Sequence, residues 1–177
     1  MAATDSPDLK RALRPVPHYE RAVREVSKML SDAGIRHALV GALAANAYRD
    51  QPRTTEDIDF LVGDEAFETH AGGFVTMRAP VVEFEGIEID QVPLTESLRV
   101  IEEALDRAPR SHGVPIAPVE TIVVMKLLAR RTRDLADVED IIASGIDRDL
   151  LRTAVRDAAP DRLESLEKLF VNVDRAR

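Results

Sequence analysis

Two aspartates one residue apart stand in the run RTTEDIDFLV, residues 53–62, whose other residues are typical of a buried strand. Alternate residues of a strand point to the same face, so Asp57 and Asp59 would stand side by side. Ile58 and Phe60 would then pack on the opposite face. Two neighbouring carboxylates repel each other unless a cation lies between them. The spacing therefore predicts a metal site or, alternatively, the solvated face of an edge strand, where charges discourage aggregation.

A glycine turn lies upstream of this pair. Gly41 closes the strand-like run IRHALVG sixteen positions before Asp57. A glycine lets the backbone approach a phosphate closely, and the start of a following helix favours an anion. The position therefore suits a phosphate-binding turn, although Gly41 could equally be a simple turn residue.

Asp90, in the later strand-like run GIEIDQV, is the third candidate carboxylate. If the two acidic strands are neighbours, three carboxylates converge on one surface of a sheet. Mg²⁺ takes oxygen ligands of this kind, and two such ions can activate an attacking hydroxyl and stabilise a leaving pyrophosphate oxygen. These parts suit transfer from a nucleoside triphosphate, in which positioning and charge stabilisation dominate. By residue type alone, Glu83, Glu85 and Glu88 are equally available.

Hydrophobic periodicity predicts a strand-rich half followed by a helical half. Strands are expected at residues 35–41, 57–62, 74–78, 81–86 and 87–92, and helices at 18–34, 42–48, 95–108, 117–131, 134–145, 147–159 and 161–173. The candidate N-caps are Thr95, Asp134 and Asp161, and the candidate helix stops are Gly34 and Gly145.

Composition limits the possible classes of protein. The 177 residues fit one domain, for which we expect a flexible lead-in at 1–17, a sheet core at 18–94 and a helical part at 95–177. A net charge of -8 argues against a general nucleic-acid coat or a membrane-surface binder. The absence of cysteine excludes disulfides and thiolate sites. With no segment of transmembrane length, a cytoplasmic location is expected.

The order of these elements, in VGALAANAYRDQPRTTEDIDFLV, resembles the DNA-polymerase-β-like nucleotidyltransferase superfamily. The signature of that superfamily is a strand ending in Gly-Gly or Gly-Ser, a helix, Asp-x-Asp on the next strand, and a third carboxylate further on. The later run ETIVVMKLLARRTRDLADVEDI is similar to a helical Lys…Arg-Asp…Asp segment of small bacterial members, including the AbiEii-type toxin branch. The resemblance covers roughly residues 35–145. It implies an α/β (α+β) nucleotidyltransferase fold, with a short mixed β-sheet flanked by helices and a C-terminal helical bundle.

The resemblance also implies roles for individual residues. Asp57 and Asp59 would hold two Mg²⁺ ions, and Asp90 would be a further ligand or the general base. Gly41 and Ala42 would bind the triphosphate. The family has Gly or Ser where Ala42 stands, so a hydroxyl is lost there while the backbone amide remains.

Three cations are expected to bind the nucleotide. By the same resemblance Lys126 would contact phosphate, and Arg133 resembles the arginine of the Arg-Asp pair. Arg53 could reach a phosphate because it lies four residues before Asp57. Arg130 would extend a basic stripe from Lys126 to Arg133. This stripe faces phosphate or forms a salt-bridge network with Asp134 and Asp137. Arg53 is alternatively an exposed loop arginine.

The function expected from the resemblance is transfer of a nucleoside monophosphate from a triphosphate such as ATP to an acceptor hydroxyl, with two Mg²⁺ ions as cofactors. A small-molecule or protein acceptor is slightly favoured over tRNA, because an acidic chain without an aromatic and basic run lacks the usual nucleic-acid-binding apparatus. The alternative is a catalytically inactive module with this fold that acts through a protein partner, as in a toxin–antitoxin pair. The C-terminal helices would be its partner or homodimer surface.

Overall fold

Short runs of aliphatic residues form a four-stranded mixed sheet in the computed structural model, which describes residues 6–176. Over these residues the strands are β1 (His37–Leu39), β2 (Asp57–Val62), β3 (Phe67–Thr69), β4 (Val75–Met77), β5 (Glu83–Phe84), β6 (Ile87–Pro93), β7 (Arg110–Ser111) and β8 (Val114–Pro115). The strand order of the sheet is β1-β2-β6-β5, and β3–β4 and β7–β8 form separate two-stranded hairpins.

The central pair of the sheet is parallel. β2 pairs with β6 in parallel, whereas β1 pairs with β2 and β5 pairs with β6 in antiparallel fashion. On β2, Ile58 and Phe60 are fully buried, as predicted. Because β2 lies between β1 and β6, Asp57 and Asp59 stand on an inner strand, and the edge-strand alternative is wrong.

Helices surround the sheet and form most of the second half of the chain. They are α1 (Leu9–Leu13), α2 (Glu20–Asp32), α3 (Gly41–Asn46), α4 (Glu103–Arg107), α5 (Val119–Ala129), α6 (Thr132–Ala143), α7 (Arg148–Ala158) and α8 (Leu163–Ala176). Short 3₁₀ helices cover Pro17–Tyr19, Asp64–Ala66, Glu96–Ile101 and Pro160–Arg162. The predicted α/β class, with a short mixed sheet, flanking helices and a helical C-terminal part, is confirmed.

One helix connects the sheet region to the C-terminal helices. α5 is apolar on nearly all sides, which is typical of a helix enclosed by other elements. It packs against α3, α6 and α7, while α3 packs against β2. The residues of α5 that face the sheet region are therefore held by packing on several sides.

The helix boundaries agree with the sequence in part. Gly34 and Gly145 follow α2 and α6 with positive φ angles of 71° and 86°, as expected for helix stops. Asp134 is not an N-cap, because α6 begins two residues earlier, at Thr132. The carboxylate of Asp134 instead accepts hydrogen bonds from Lys126 and Arg131.

The other two candidate caps also differ from the prediction. Thr95 precedes a 3₁₀ helix, and its side chain makes no capping hydrogen bond there. Asp161 lies inside the 3₁₀ turn that Pro160 begins, because proline suits the first position of such a turn. α8 therefore starts after this turn, at Leu163.

The segment expected as a flexible lead-in is packed where the structure describes it; residues 1–5 lie outside the described part. Asp8 caps α1 by accepting hydrogen bonds from the backbone N–H groups of Lys10 and Arg11. α1 buries Leu9, Ala12 and Leu13 in the core and packs against α3. None of the helices within residues 6–176 has the length and apolar character needed to span a bilayer.

Replacing Leu9 by alanine is therefore expected to destabilise the protein. Leu9 is 0% exposed, and removing a buried leucine costs about 2–5 kcal/mol of unfolding free energy. Urea denaturation of Leu9→Ala would measure this loss, with Lys10→Ala as the control, because Lys10 is exposed on the same helix. Equal stabilities of the two variants would mean that the segment is loosely held.

Candidate functional site

Three carboxylates meet on one face of the sheet. The parallel register places Asp59 opposite Asp90 across β2 and β6. Carboxylate oxygens of Asp57, Asp59 and Asp90 all lie within 4.8 Å of one another. Asp57 and Asp59 are half-buried, and Asp90 is exposed. The structure thus brings together the three acidic residues that the sequence singled out.

The electrostatics of this cluster favour a bound cation. Burial, followed by the charges of Asp57 and Asp90, raises the pKa of the Asp59 carboxyl to about 7, against the lowering effect of Lys126 and Arg131. Three carboxylates supply only hard oxygen donors, the ligands that Mg²⁺ prefers. The donor set therefore fits a divalent metal ion.

A glycine is required beside the cluster. Gly41, the first residue of α3, has a φ of +66°. A Cβ at this position would lie 2.6 Å from the Cγ of Asp59 and closer still to its Oδ2. The backbone N–H of Val40 donates to the carbonyl of Asp59 at 2.9 Å, which fixes this close approach. Gly41 is thus more than a turn residue, because its missing side chain leaves room for the Asp59 carboxylate.

A single cleft of about 590 Å³ is lined by all the residues expected to bind metal or nucleotide, apart from Arg130 of the basic stripe. Its lining includes Gly41, Ala42, Arg53, Asp57, Asp59, Asp90, Lys126 and Arg133. Residues that received no role from the sequence also line it, among them Thr55, Ser97 and Arg131. The hydroxyl of Thr55 donates to Oδ1 of Asp57 at 2.7 Å and so orients that carboxylate.

Two of the nominated cations are engaged in ion pairs. Lys126, only 5% exposed, donates to Asp134 at 3.2 Å and to Asp137 at 2.7 Å. Arg53 donates to Asp137 through Nε at 2.8 Å and through Nη2 at 2.9 Å. Of the two arrangements that the sequence left open for the basic stripe, Lys126 adopts the salt-bridge network. Arg53, expected either at phosphate or as an exposed loop arginine, joins the same network, and both side chains still line the cleft.

Asp137 is the centre of that network. Its side chain also accepts a hydrogen bond of 2.7 Å from Nη1 of Arg49, an arginine that is fully buried. Burial alone would raise the pKa of the Asp137 carboxyl, but hydrogen bonds from Arg53, Lys126 and Arg49 hold it well below its usual range. Arg49 was missed by the sequence analysis, because no local pattern connects it with an aspartate 88 positions away.

The basic stripe predicted from helical spacing is interrupted. Arg130 ends α5 in the left-handed conformation, with a φ of 59°, and does not line the cleft. The chain then turns, so that Arg131 and Arg133 reach the cleft instead. Arg131 donates through Nε to Asp134 at 2.8 Å with its side chain 79% exposed. Arg133 is exposed and has no ion pair within residues 6–176.

A solved structure, that of an antigenic nucleotidyltransferase-like protein from Paracoccidioides brasiliensis, is similar to this chain. The similarity covers 86% of this chain and 94% of that one, at 19% sequence identity and a TM-score of 0.49. Similarity at this level carries no inference about activity. The sequence matches no protein-family model and no curated protein.

Gly41→Ala is expected to disrupt the metal site, because the added Cβ must displace the Asp59 carboxylate. Disturbed ligand orientation lowers metal affinity by about 10- to 100-fold, and we expect a loss of this size for Mn²⁺ in calorimetric titration. Gly34→Ala is the matched control, since Gly34 has a similar φ of +71° but no heavy atom within 4 Å of the added Cβ. If both variants lost metal affinity equally, backbone strain rather than the clash would be responsible.

Asp59→Asn is expected to stabilise the metal-free protein at high pH. The pKa of Asp59 is about 7 in the folded chain, above its ordinary value of 3.8. The folded state therefore keeps a proton that the unfolded state loses, so the free energy of unfolding falls as pH rises through this window. At pH 8 the variant should be more stable than the wild type by roughly 2 kcal/mol, allowing about 1.4 kcal/mol per pKa unit and partial solvent screening.

Urea denaturation in EDTA at pH 4 and pH 8 measures this effect, and the difference should nearly vanish at pH 4. Asp137→Asn is the contrasting variant. The pKa of Asp137 is lowered by its cations, so this substitution should destabilise the protein at pH 8. A difference between Asp59→Asn and wild type that did not change with pH would contradict the raised pKa of Asp59.

Proposed function

We propose that this chain is a metal-dependent nucleotidyltransferase that transfers a nucleoside monophosphate from a nucleoside triphosphate to an acceptor hydroxyl. The observation that carries the proposal is the convergence of Asp57, Asp59 and Asp90 beside the Gly41 turn, inside one cleft. This arrangement combines a site for hard cations with a backbone turn that a phosphate can approach. Arginine and lysine side chains line the same cleft.

Each residue beside the Gly41 turn has a separate role in the proposed reaction. Asp57 and Asp59 would hold the Mg²⁺ ions, which when bound supply charge neutralisation at the triphosphate. Asp90 would complete the metal site or accept the proton of the acceptor hydroxyl. The oxygen of that hydroxyl forms a bond to the α-phosphorus, the bond from this phosphorus to the bridging oxygen breaks, and pyrophosphate leaves. Ala42 would contribute its backbone N–H at the turn, where a side-chain hydroxyl is missing.

A small molecule or a protein is the proposed acceptor class, in preference to tRNA. The net charge of -8 opposes binding of a polyanion. Among the described residues that line the cleft there is no aromatic side chain on which a nucleic-acid base could stack. A cytoplasmic toxin of the AbiEii type, using ATP or another nucleoside triphosphate, fits this class of reaction.

A catalytically inactive binding module is the second candidate. The ion pairs of Lys126 and Arg53 favour it, because both cations already have anionic partners in the protein. It would act through a protein partner on the C-terminal helices. α7 and α8, however, bury their main apolar residues within the chain, including Leu151, Leu166 and Phe170.

Calorimetric titration with ATP, GTP, CTP and UTP, with and without Mg²⁺, distinguishes the two candidates. We expect Mg²⁺-dependent binding of at least one triphosphate, and its loss in Asp57→Ala/Asp59→Ala, which removes two metal ligands. Glu83→Ala/Glu85→Ala is the matched control, because it removes two carboxylates at the same spacing that do not line the cleft.

A matching pyrophosphate-release assay, with the protein itself as the first acceptor tried, tests turnover. Failure of all four triphosphates to bind at millimolar concentration would overturn the proposal that the chain is a nucleotidyltransferase. Binding that survives in Asp57→Ala/Asp59→Ala would also favour the inactive module, since the metal site would then be irrelevant to the ligand.

A further inference from the structure

We propose that Arg131 and Arg133 are the side chains that bind the phosphates of the donor nucleotide. This inference rests on the proposed function and assigns the triphosphate subsite within the same cleft. It differs from the expectation drawn from the sequence, which gave that role to Lys126, Arg133 and Arg53. The observation that separates these cations is how deeply each side chain is buried and how many of its hydrogen-bond donors the protein already uses.

Lys126 and Arg53 form ion pairs with the carboxylate of Asp137, and separating either pair costs free energy. Asp137 is 1% exposed and accepts hydrogen bonds from both side chains. Withdrawing a cation from a buried ion pair leaves an uncompensated charge in a medium of low polarity. The two cations therefore stabilise the wall of the cleft, and their charge is already matched inside the protein.

Arg131 has unused hydrogen-bond donors and lines the cleft. It is 79% exposed, and within residues 6–176 its hydrogen bond is made by Nε alone, to Asp134. The hydrogen bond to Asp134 and the charge of Asp134 raise the pKa of the Arg131 guanidinium group, and the charges of Asp59 and Asp57 add to that effect. The guanidinium group is thus within the electrostatic reach of the carboxylate cluster, where a metal-bound triphosphate would lie.

Arg133 reaches the same cleft from the first turn of α6. It is exposed, and the described residues provide it with no ion-pair partner. A guanidinium group offers a planar fork of donors that matches phosphate oxygens, and such charge-assisted hydrogen bonds are stronger than neutral ones. Two arginines two residues apart can therefore contact neighbouring phosphates, Arg133 with its whole guanidinium group and Arg131 with the Nη groups that its Nε bond to Asp134 leaves free.

The turn between α5 and α6 determines which arginines enter the cleft. Arg130 occupies the left-handed position at the end of α5 and does not line it, whereas Arg131 and Arg133 do. The chain thus provides three exposed arginines within four residues, of which Arg130 alone does not line the cleft. Arg130 is the matched control for the other two.

Inorganic tripolyphosphate with Mg²⁺ is the probe, because it tests phosphate binding without a nucleobase. Calorimetric titration should show that Arg131→Gln and Arg133→Gln each weaken its affinity by about tenfold, the scale of a charge-assisted hydrogen bond. Arg130→Gln should change the affinity by no more than about twofold, since a charge outside the cleft is screened by solvent. Mn²⁺ titrated without phosphate should bind all three variants at least as tightly as it binds the wild type, because Arg131 repels a cation at the carboxylate cluster.

Lys126→Gln removes a buried cation from two buried carboxylates and should instead lower the thermal unfolding temperature. Arg133→Gln should leave it unchanged, and Arg131→Gln, at an exposed side chain, should change it little. The inference is overturned if the two cleft variants bind tripolyphosphate as tightly as Arg130→Gln does. It is also overturned if Lys126→Gln keeps its unfolding temperature and loses as much affinity as the cleft variants.

Failure of the inference and failure of the proposed function give different results. Wild-type protein that binds no Mg²⁺–tripolyphosphate, or binds it equally well as Asp57→Ala/Asp59→Ala, overturns both. Binding that depends on Asp57 and Asp59 but is insensitive to Arg131 and Arg133 overturns the arginine assignment alone.

Discussion

The parallel pairing of β2 with β6 is the constraint on which the site depends. Its register sets Asp59 opposite Asp90, two residues that are far apart in the chain. Parallel neighbours require a crossover of a dozen or more residues, and here residues 63–86 provide it with a hairpin and β5. The buried side chains of Ile58 and Phe60 fix the register, because a slip by one residue would turn the carboxylates into the core. The packing of apolar side chains on one face of β2 therefore offsets the free-energy cost of holding carboxylates together on the other face.

Two aspartates in this region show how burial can produce opposite electrostatic outcomes. Asp59 lies among other carboxylates, and its pKa is raised to about 7. Asp137 is only 1% exposed, and burial would raise its pKa, yet that pKa is lowered because Arg53, Lys126 and Arg49 donate hydrogen bonds to its carboxylate. A group that the fold leaves electrostatically unsatisfied is a candidate for ligand binding, whereas a fully compensated one is structural. By this criterion the carboxylate cluster is the candidate ligand-binding element, and the Asp137 network stabilises the wall of the cleft beside it.

Features that depend on local spacing could be predicted from the sequence. The alternation of Asp57 and Asp59 with buried residues, the glycine stop at Gly34 and the class of fold all follow from patterns within a few residues. Three-dimensional partners could not be predicted in the same way. The ion pair of Arg49 with Asp137 spans 88 positions and leaves no local trace. α1 was also missed, because five residues are too few to show a clear helical period.

The identity of the cations in the cleft illustrates why helical spacing alone misleads at the end of a helix. Lys126, Arg130 and Arg133 form a stripe only if one continuous helix runs through them. Arg130 adopts a left-handed conformation instead, so α5 ends and α6 begins in a new direction. The break removes Arg130 from the cleft and brings Arg131 into it, a residue that the periodicity gave no reason to select. A single backbone angle at a junction therefore decides which charges face the carboxylate cluster, and the number of basic residues in the segment does not.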